Sequence, residues 1–135
     1  MKVAYNACFG GFSLSPIALT AFAKKKGIEL TWYKGREELT RLEGMGEAAW
    51  DIQPATSNLG DVITDEVFYK HFYYPEFYDN EDRCDPDLIA VIEELGDEAN
   101  GMCAKLAIKE VPDGADFEIT EYDGFEDVEP PWMSW

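Results

Sequence analysis

"NACFGGFSLSP", residues 6–16, carries the chain from one regular element into the next, and its reading decides the fold. Upstream, "KVAYNACF" (2–9) alternates as a strand does, with Val3, Tyr5, Ala7 and Phe9 on one face and Ala4, Asn6 and Cys8 on the other. Downstream, Ser15 followed by Pro16 has the form of an N-cap and a first helical residue. Leu14 and Leu19 stand where a hydrophobic staple places them. Ile17, Ala18, Ala21 and Phe22 supply an apolar stripe. Lys24, Lys25 and Lys26 suit the negative end of the helix dipole, and Gly27 ends the helix. Gly10 and Gly11 lie between strand and helix, where the backbone must turn.

Working outward, "IELTWY" (28–33) reads as a second strand and "GREELTRLEG" (35–44) as a short helix. Residues 44–60, with three glycines, Pro54 and Asn58, read as loop. "DVITDEVFYKHFYY" (61–74) reads as a strand or hairpin, and "YPEFYDNEDRCDP" (74–86) as an acidic loop. Asp85-Pro86 opens a second helix over 86–95, with Leu88, Ile89, Val91, Ile92 and Leu95 at helical spacing before Gly96. "AKLAIKEV" (104–111) alternates as a strand, and "DFEITEYDGFEDVE" (116–129) reads as two strands around Asp123-Gly124, a strong hairpin signal. The parts make an α+β domain: two main helices on a mixed or mainly antiparallel sheet of four to six strands. A length of 135 residues suits a single domain over 1–135, with an acidic aromatic segment at 61–82 and a short extended tail at 130–135.

The charge is unevenly placed. Residues 1–50 hold seven Lys/Arg against five Asp/Glu, whereas residues 51–135 hold four against twenty-three, giving −17 overall. Such a field repels nucleic acid and anionic membrane, whose binding rests on Lys and Arg, and it favours basic partners. Cys8, Cys84 and Cys103 are odd in number and lack C-x-x-C spacing, which argues against a disulfide framework or zinc site and fits a reducing cytoplasm. A lone Lys2, an apolar stretch broken by Asn6, Gly10 and Gly11, and lysines placed after it do not make a secretory signal. No apolar run approaches the roughly 18 residues of a membrane span.

Three groups of residues are candidates for chemistry. Backbone N–H groups at Gly10 and Gly11, with Asn6, hydroxyls of Ser13 and Ser15, and Arg83, form a candidate anion site for a nucleotide or other phosphorylated small molecule, although neither a P-loop nor a dinucleotide fingerprint is present. Ordinary capping and a tight turn explain the same residues. Cys8 before a helix N-terminus is a candidate nucleophile whose base would have to be His71, the sole histidine. Finally, residues 66–82 interleave rings with carboxylates. Tyr69, Tyr73, Tyr74, Glu76, Tyr78, Asp79, Glu81 and Asp82 are candidate partner-binding residues, with about half of the segment's rings expected in the core. Asp79/Glu81/Asp82 and Asp85/Asp87 do not match an EF-hand, so neither a metal nor a cofactor is expected.

"NACFGGFSLS" (6–15), "RCDPDLIAVIEELGDEANG" (83–101) and "EVP" with "FEITEYDGFE" (110–126) resemble a family of small uncharacterised proteins of bacteriophages and bacteria. The resemblance covers roughly a third of the chain. It implies a phage or bacterial cytoplasmic setting and puts weight on Asn6, Gly10, Gly11, Ser15, Arg83, Asp85, Asn100, Gly101 and Asp123. Relatives end in a His-Arg-x-Trp segment, whereas this chain ends "PPWMSW". The resemblance carries no catalytic residues. The expectation is a non-catalytic acidic protein, phage-encoded, that engages a host protein with a basic surface, such as a nucleic-acid-handling or defence protein. A phosphorylated-ligand binder and a Cys8-dependent enzyme are the alternatives.

Overall fold

The computed structural model describes residues 1–43 and 52–130. In chain order the elements are β1 (Lys2–Asn6), α1 (Pro16–Lys25), β2 (Thr31–Gly35), β3 (Glu38–Arg41), β4 (Ile52–Ala55), β5 (Val62–Thr64), α2 (Asp65–Tyr69), α3 (Asn80–Arg83), α4 (Pro86–Leu95), a 3₁₀ turn at Gly96–Ala99, β6 (Leu106–Glu110), β7 (Glu118–Tyr122) and β8 (Phe125–Glu129). The architecture is α+β. The described sheets are antiparallel, one of four strands in the order β4-β2-β3-β5 and two of two strands, β1-β6 and β7-β8. The chain divides into two compact units, Met1–Ala18 with Glu76–Trp135, and Leu19–Pro75, so that one boundary falls inside α1.

The best-signalled elements form where the local chemistry places them. Ser15 Oγ accepts from Ala18 N at 3.1 Å, which caps α1 in front of Pro16. Asp85 Oδ1 accepts from Asp87 N at 2.9 Å in front of Pro86, and α4 buries Leu88, Ile89, Val91 and Ile92 before stopping at Gly96. Asp123 (φ 51°) and Gly124 (φ 85°) are both left-handed, as a two-residue hairpin turn between β7 and β8 requires.

Five segments depart from the sequence expectation. Residues 35–43 form no helix, and residue 44 of the expected helix lies outside the described residues. Gly35, at φ 131°, turns the chain so tightly that a Cβ would overlap the Glu38 carbonyl, and β3 then pairs with β2 and β5. Its Leu39 is buried between exposed neighbours, so pairing outweighs the helix preference of the glutamates. Within the expected loop 44–60, Ile52–Ala55 pairs with β2 as β4, and residues 44–51 lie outside the described region. Pro54 is accommodated because its missing N–H is not needed, while its carbonyl accepts from Tyr73 N at 3.1 Å. Residues 61–74 change from strand to helix at Thr64, whose Oγ1 accepts from Val67 N at 3.4 Å with Asp65 and Glu66 in the first turn. The acidic loop 74–86 contains α3, where Asp79 N donates to Asp82 Oδ2 at 3.2 Å. The second strand runs Thr31–Gly35 rather than 28–33. Pro130 is described, but the rest of the expected tail is not.

Each unit has its own core. In Leu19–Pro75, Tyr33, Leu39, Ala55, Ile63 and Phe68 are buried together, with Leu59 and Phe72 packed on them. The Tyr33 hydroxyl accepts from Leu59 N at 2.8 Å and donates to Gly60 O at 2.9 Å, which satisfies the one polar atom of a fully buried ring. In the other unit, Val3, Val111, Phe117 and Val128 form the centre, with Met1, Tyr5, Cys84 and Ile119 against it. The inward residues of β8 alternate with outward ones, and its inward pair is Glu126 and Val128. That carboxylate on an apolar face leads to the site.

Candidate functional site

Glu126 is 7% exposed and Arg83 6%, and the two form a buried pair. Arg83 Nη1 and Nη2 donate to Glu126 Oε1 and Oε2 at 2.6 and 2.8 Å, the parallel two-bond geometry that suits a guanidinium and a carboxylate. Arg83 Nε donates to Phe77 O at 2.6 Å, Nη1 also reaches Ala4 O at 3.4 Å, and the guanidinium carbon lies 4.0 Å over the Phe12 ring. Two buried charges are tolerable only when paired and hydrogen-bonded in this way. α3 delivers Arg83, β8 delivers Glu126, and Phe12 comes from the Gly-Gly stretch quoted at the outset.

Asn6 completes the network. It is fully buried. Its backbone N–H donates to Glu126 Oε1 at 2.8 Å, its Nδ2 donates to Cys8 O at 2.7 Å and Gly124 O at 2.8 Å, and its Oδ1 accepts from Lys105 N at 2.8 Å. One amide thus ties β1 to its own exit, to the hairpin turn and to the approach to β6. Among the described residues no buried side-chain nitrogen or oxygen lacks a hydrogen-bond partner.

The rest of residues 8–15 is fastened just as closely. Gly10 N donates to Asp123 O at 3.2 Å, and a Cβ on Gly124 would overlap the backbone of Gly10 and Gly11. A Cβ on Gly10 would overlap Cys103, and one on Gly101 would overlap Ser13, whose carbonyl accepts from Gly101 N at 2.9 Å. Ser15 Oγ donates to Glu98 O at 2.5 Å while it caps α1, and Ser15 N donates to Ala99 O at 2.9 Å. Of the residues expected to bind an anion, Asn6 and Arg83 meet through Glu126. Gly10 and Gly11 lie against the hairpin turn, and Ser13 and Ser15 lie against residues 98–101. The arrangement spends the Arg83 guanidinium and the Ser15 hydroxyl on internal partners.

The candidate partner-binding residues fall in both units. Tyr69, Tyr73 and Tyr74 belong to Leu19–Pro75, and Glu76, Tyr78, Asp79, Glu81 and Asp82 to the other. Of the segment's seven rings only Phe68, on α2, is buried, fewer than the half expected in the core. Phe68 is fully buried on α2, Phe72, Tyr73 and Phe77 are half-buried, and Tyr69, Tyr74 and Tyr78 are 60%, 65% and 75% exposed. In the first unit described, Tyr69 and Phe72 each pack on Phe68 at 5.4 Å between ring centroids, and Tyr74 stacks on Phe72 at 5.6 Å. The result is a ladder of rings with its inner rung in the core and its outer rungs in water.

Cys8 is half-buried in one unit and His71 exposed in the other. Cys84 is half-buried beside the Val3 core, and burial pushes its thiol pKa up. Among the described residues no group of three or more His, Cys, Asp or Glu side chains is placed to hold a metal ion, and no helix is long and apolar enough to cross a membrane. Two features escaped the sequence reading. A groove of about 560 Å³ runs beside Thr20, Lys24, Ile28, Leu30 and Trp32, where Trp32 Nε1 donates to Thr20 Oγ1 at 3.2 Å. At the hairpin turn, the Phe9, Tyr122 and Phe125 rings cluster in solvent. Comparisons of the chain with protein-family models, with curated proteins and with solved structures each find no match.

Proposed function

We propose that this chain is a non-catalytic binding protein that engages a basic protein of a phage-infected bacterium, of the kind that handles nucleic acid or takes part in defence. The observation that carries the reading is the ring ladder Tyr69–Phe72–Tyr74, anchored on buried Phe68 yet open to solvent. It stands in the part of the sequence that holds twenty-three of the twenty-eight carboxylates. Exposed tyrosines supply large contact area with few rotatable bonds, and the chain's net charge of −17 steers a positive partner. The internal use of Arg83, Asn6 and Ser15 supports a binding role over ligand chemistry at the first turn.

Affinity capture from bacterial lysate tests this, using the wild-type chain beside Tyr69→Ala/Tyr74→Ala. A basic protein retained at low salt, released as salt rises, and lost by the double variant is the expected result. Identical capture by both proteins at every salt concentration overturns it.

A further inference from the structure

We infer that the outer face of the β7-β8 hairpin, capped by Phe9, is a docking surface for an arginine-bearing segment of a partner protein. The inference rests on the reading that the chain engages a basic protein, and it adds a second contact, on the hairpin, to the one at residues 69–74.

Phe9, Tyr122 and Phe125 are 55%, 78% and 41% exposed. Their rings meet one another instead of the core, with Phe9 to Phe125 at 5.4 Å and Phe9 to Tyr122 at 6.4 Å between centroids. Tyr122 and Phe125 are cross-strand partners at the head of the ladder. Below them the same outward face presents Glu118 opposite Glu129 and Thr120 opposite Asp127, all exposed. Lys109 stands beside this face, its Nζ 3.9 Å from Asp127 Oδ1 and donating to Val128 O.

The patch is rigid before any partner arrives. Asn6 Nδ2 donates to Gly124 O at 2.8 Å, Gly10 N to Asp123 O at 3.2 Å, and Gly124 N to Glu121 Oε1 at 2.7 Å. These bonds hold the segment after β1, which carries Phe9, against the turn between Tyr122 and Phe125. The polar network around Asn6 is therefore the scaffold of the patch, and a preformed surface loses little freedom on binding.

Charge decides the occupant. A second copy of a chain at −17 would set carboxylate against carboxylate, and nucleic acid or an anionic lipid would be repelled. Between the two basic side chains, guanidinium fits best, because its plane stacks on a ring while its N–H fork reaches a neighbouring carboxylate. The chain already holds one arginine in this manner, with Arg83 over Phe12 and bonded to Glu126.

The test uses the whole chain and two synthetic probes, an arginine-glycine peptide and a lysine-glycine peptide of equal length and charge, titrated by calorimetry. The arginine peptide is expected to bind about fivefold more tightly. Adding it should shift the amide resonances of Asp123 and Gly124. Tyr122→Ser/Phe125→Ser, which keeps every charge, should abolish that preference. Phe9→Ser, outside the ladder, should reduce it, with far-UV circular dichroism confirming both folds. Tyr69→Ala/Tyr74→Ala should leave it intact. Equal affinity for the two peptides, or a preference that survives the hairpin variant, overturns the assignment. A preference that instead follows Tyr69 and Tyr74 overturns the hairpin while sparing the basic-partner reading, and absence of binding by either peptide defeats both.

Discussion

Arg83 on α3 and Glu126 on β8 lock together by two bonds of 2.6 and 2.8 Å in the interior of their unit, 43 residues apart in sequence. The pair is what joins the acidic loop region to the hairpin, and Asn6 N reinforces it from β1. Removing one partner leaves the other charged and buried. Arg83→Ala is accordingly expected to cost about 3–5 kcal/mol, read as a lower urea midpoint at unchanged slope. Arg83→Met/Glu126→Leu, which removes both charges at similar volume, should recover only part of that loss, because the buried Asn6 N–H then loses its acceptor.

Two glycines separate conformational strain from crowding. Gly114, at φ 75°, has nothing within reach of an added Cβ, whereas Gly124, at φ 85°, faces the backbone of Gly10 and Gly11. Gly114→Ala should therefore cost only the left-handed penalty of about 1 kcal/mol. Gly124→Ala should cost clearly more and should loosen Phe9 from Phe125. Parallel denaturant curves, with the nuclear Overhauser contact between those two rings as a second readout, check both statements.

Ser15 serves two elements at once, as the cap of α1 and as a donor to Glu98 O at 2.5 Å. Ser15→Ala is expected to destabilise by about 1 kcal/mol for the cap, with a further loss for the stranded Glu98 carbonyl. Ser15→Asp keeps an acceptor for Ala18 N but cannot donate to Glu98 O. It should fall between the wild type and the alanine variant only if capping is the larger contribution.

Two of the three cysteines should react in a set order. Cys103 is exposed, whereas Cys84 is packed beside Val3 with its thiol pKa raised by burial. Because the thiolate is the reactive form, Cys84 alkylation should lag at neutral pH and accelerate only as pH rises well into the alkaline range. Peptide mapping after timed iodoacetamide treatment reads this. Cys84 labelling ahead of Cys103 would contradict the packing described.

Legibility in the sequence followed the range of the interactions. Ser15-Pro16, Asp85-Pro86 and Asp123-Gly124 fix their elements through neighbours a few residues away, and all three were readable. β3 was not, because "EELTR" prefers a helix on local grounds and only its partners β2 and β5 make it a strand. α2 carried a usable signal that was passed over, Thr64 followed by two acidic residues. At the site, Asn6 and Arg83 stood out while Glu126 did not, since it is one of twenty-eight carboxylates. Its position two residues before Val128, on the inward face of a hairpin, was the clue. The ring cluster of Phe9, Tyr122 and Phe125 joins residues more than a hundred positions apart, so no local pattern could announce it.

The meeting of Asn6 with Glu126 also orders events on the ribosome. The Leu19–Pro75 unit is one continuous stretch, complete in the nascent chain long before the hairpin is synthesised. β1, by contrast, emerges before both of its partners and waits for β6 and then for β8. A chain stalled near residue 100 therefore displays Val3 and Ala4, residues that are wholly covered in the finished fold, to whatever chaperone or protease stands at the exit.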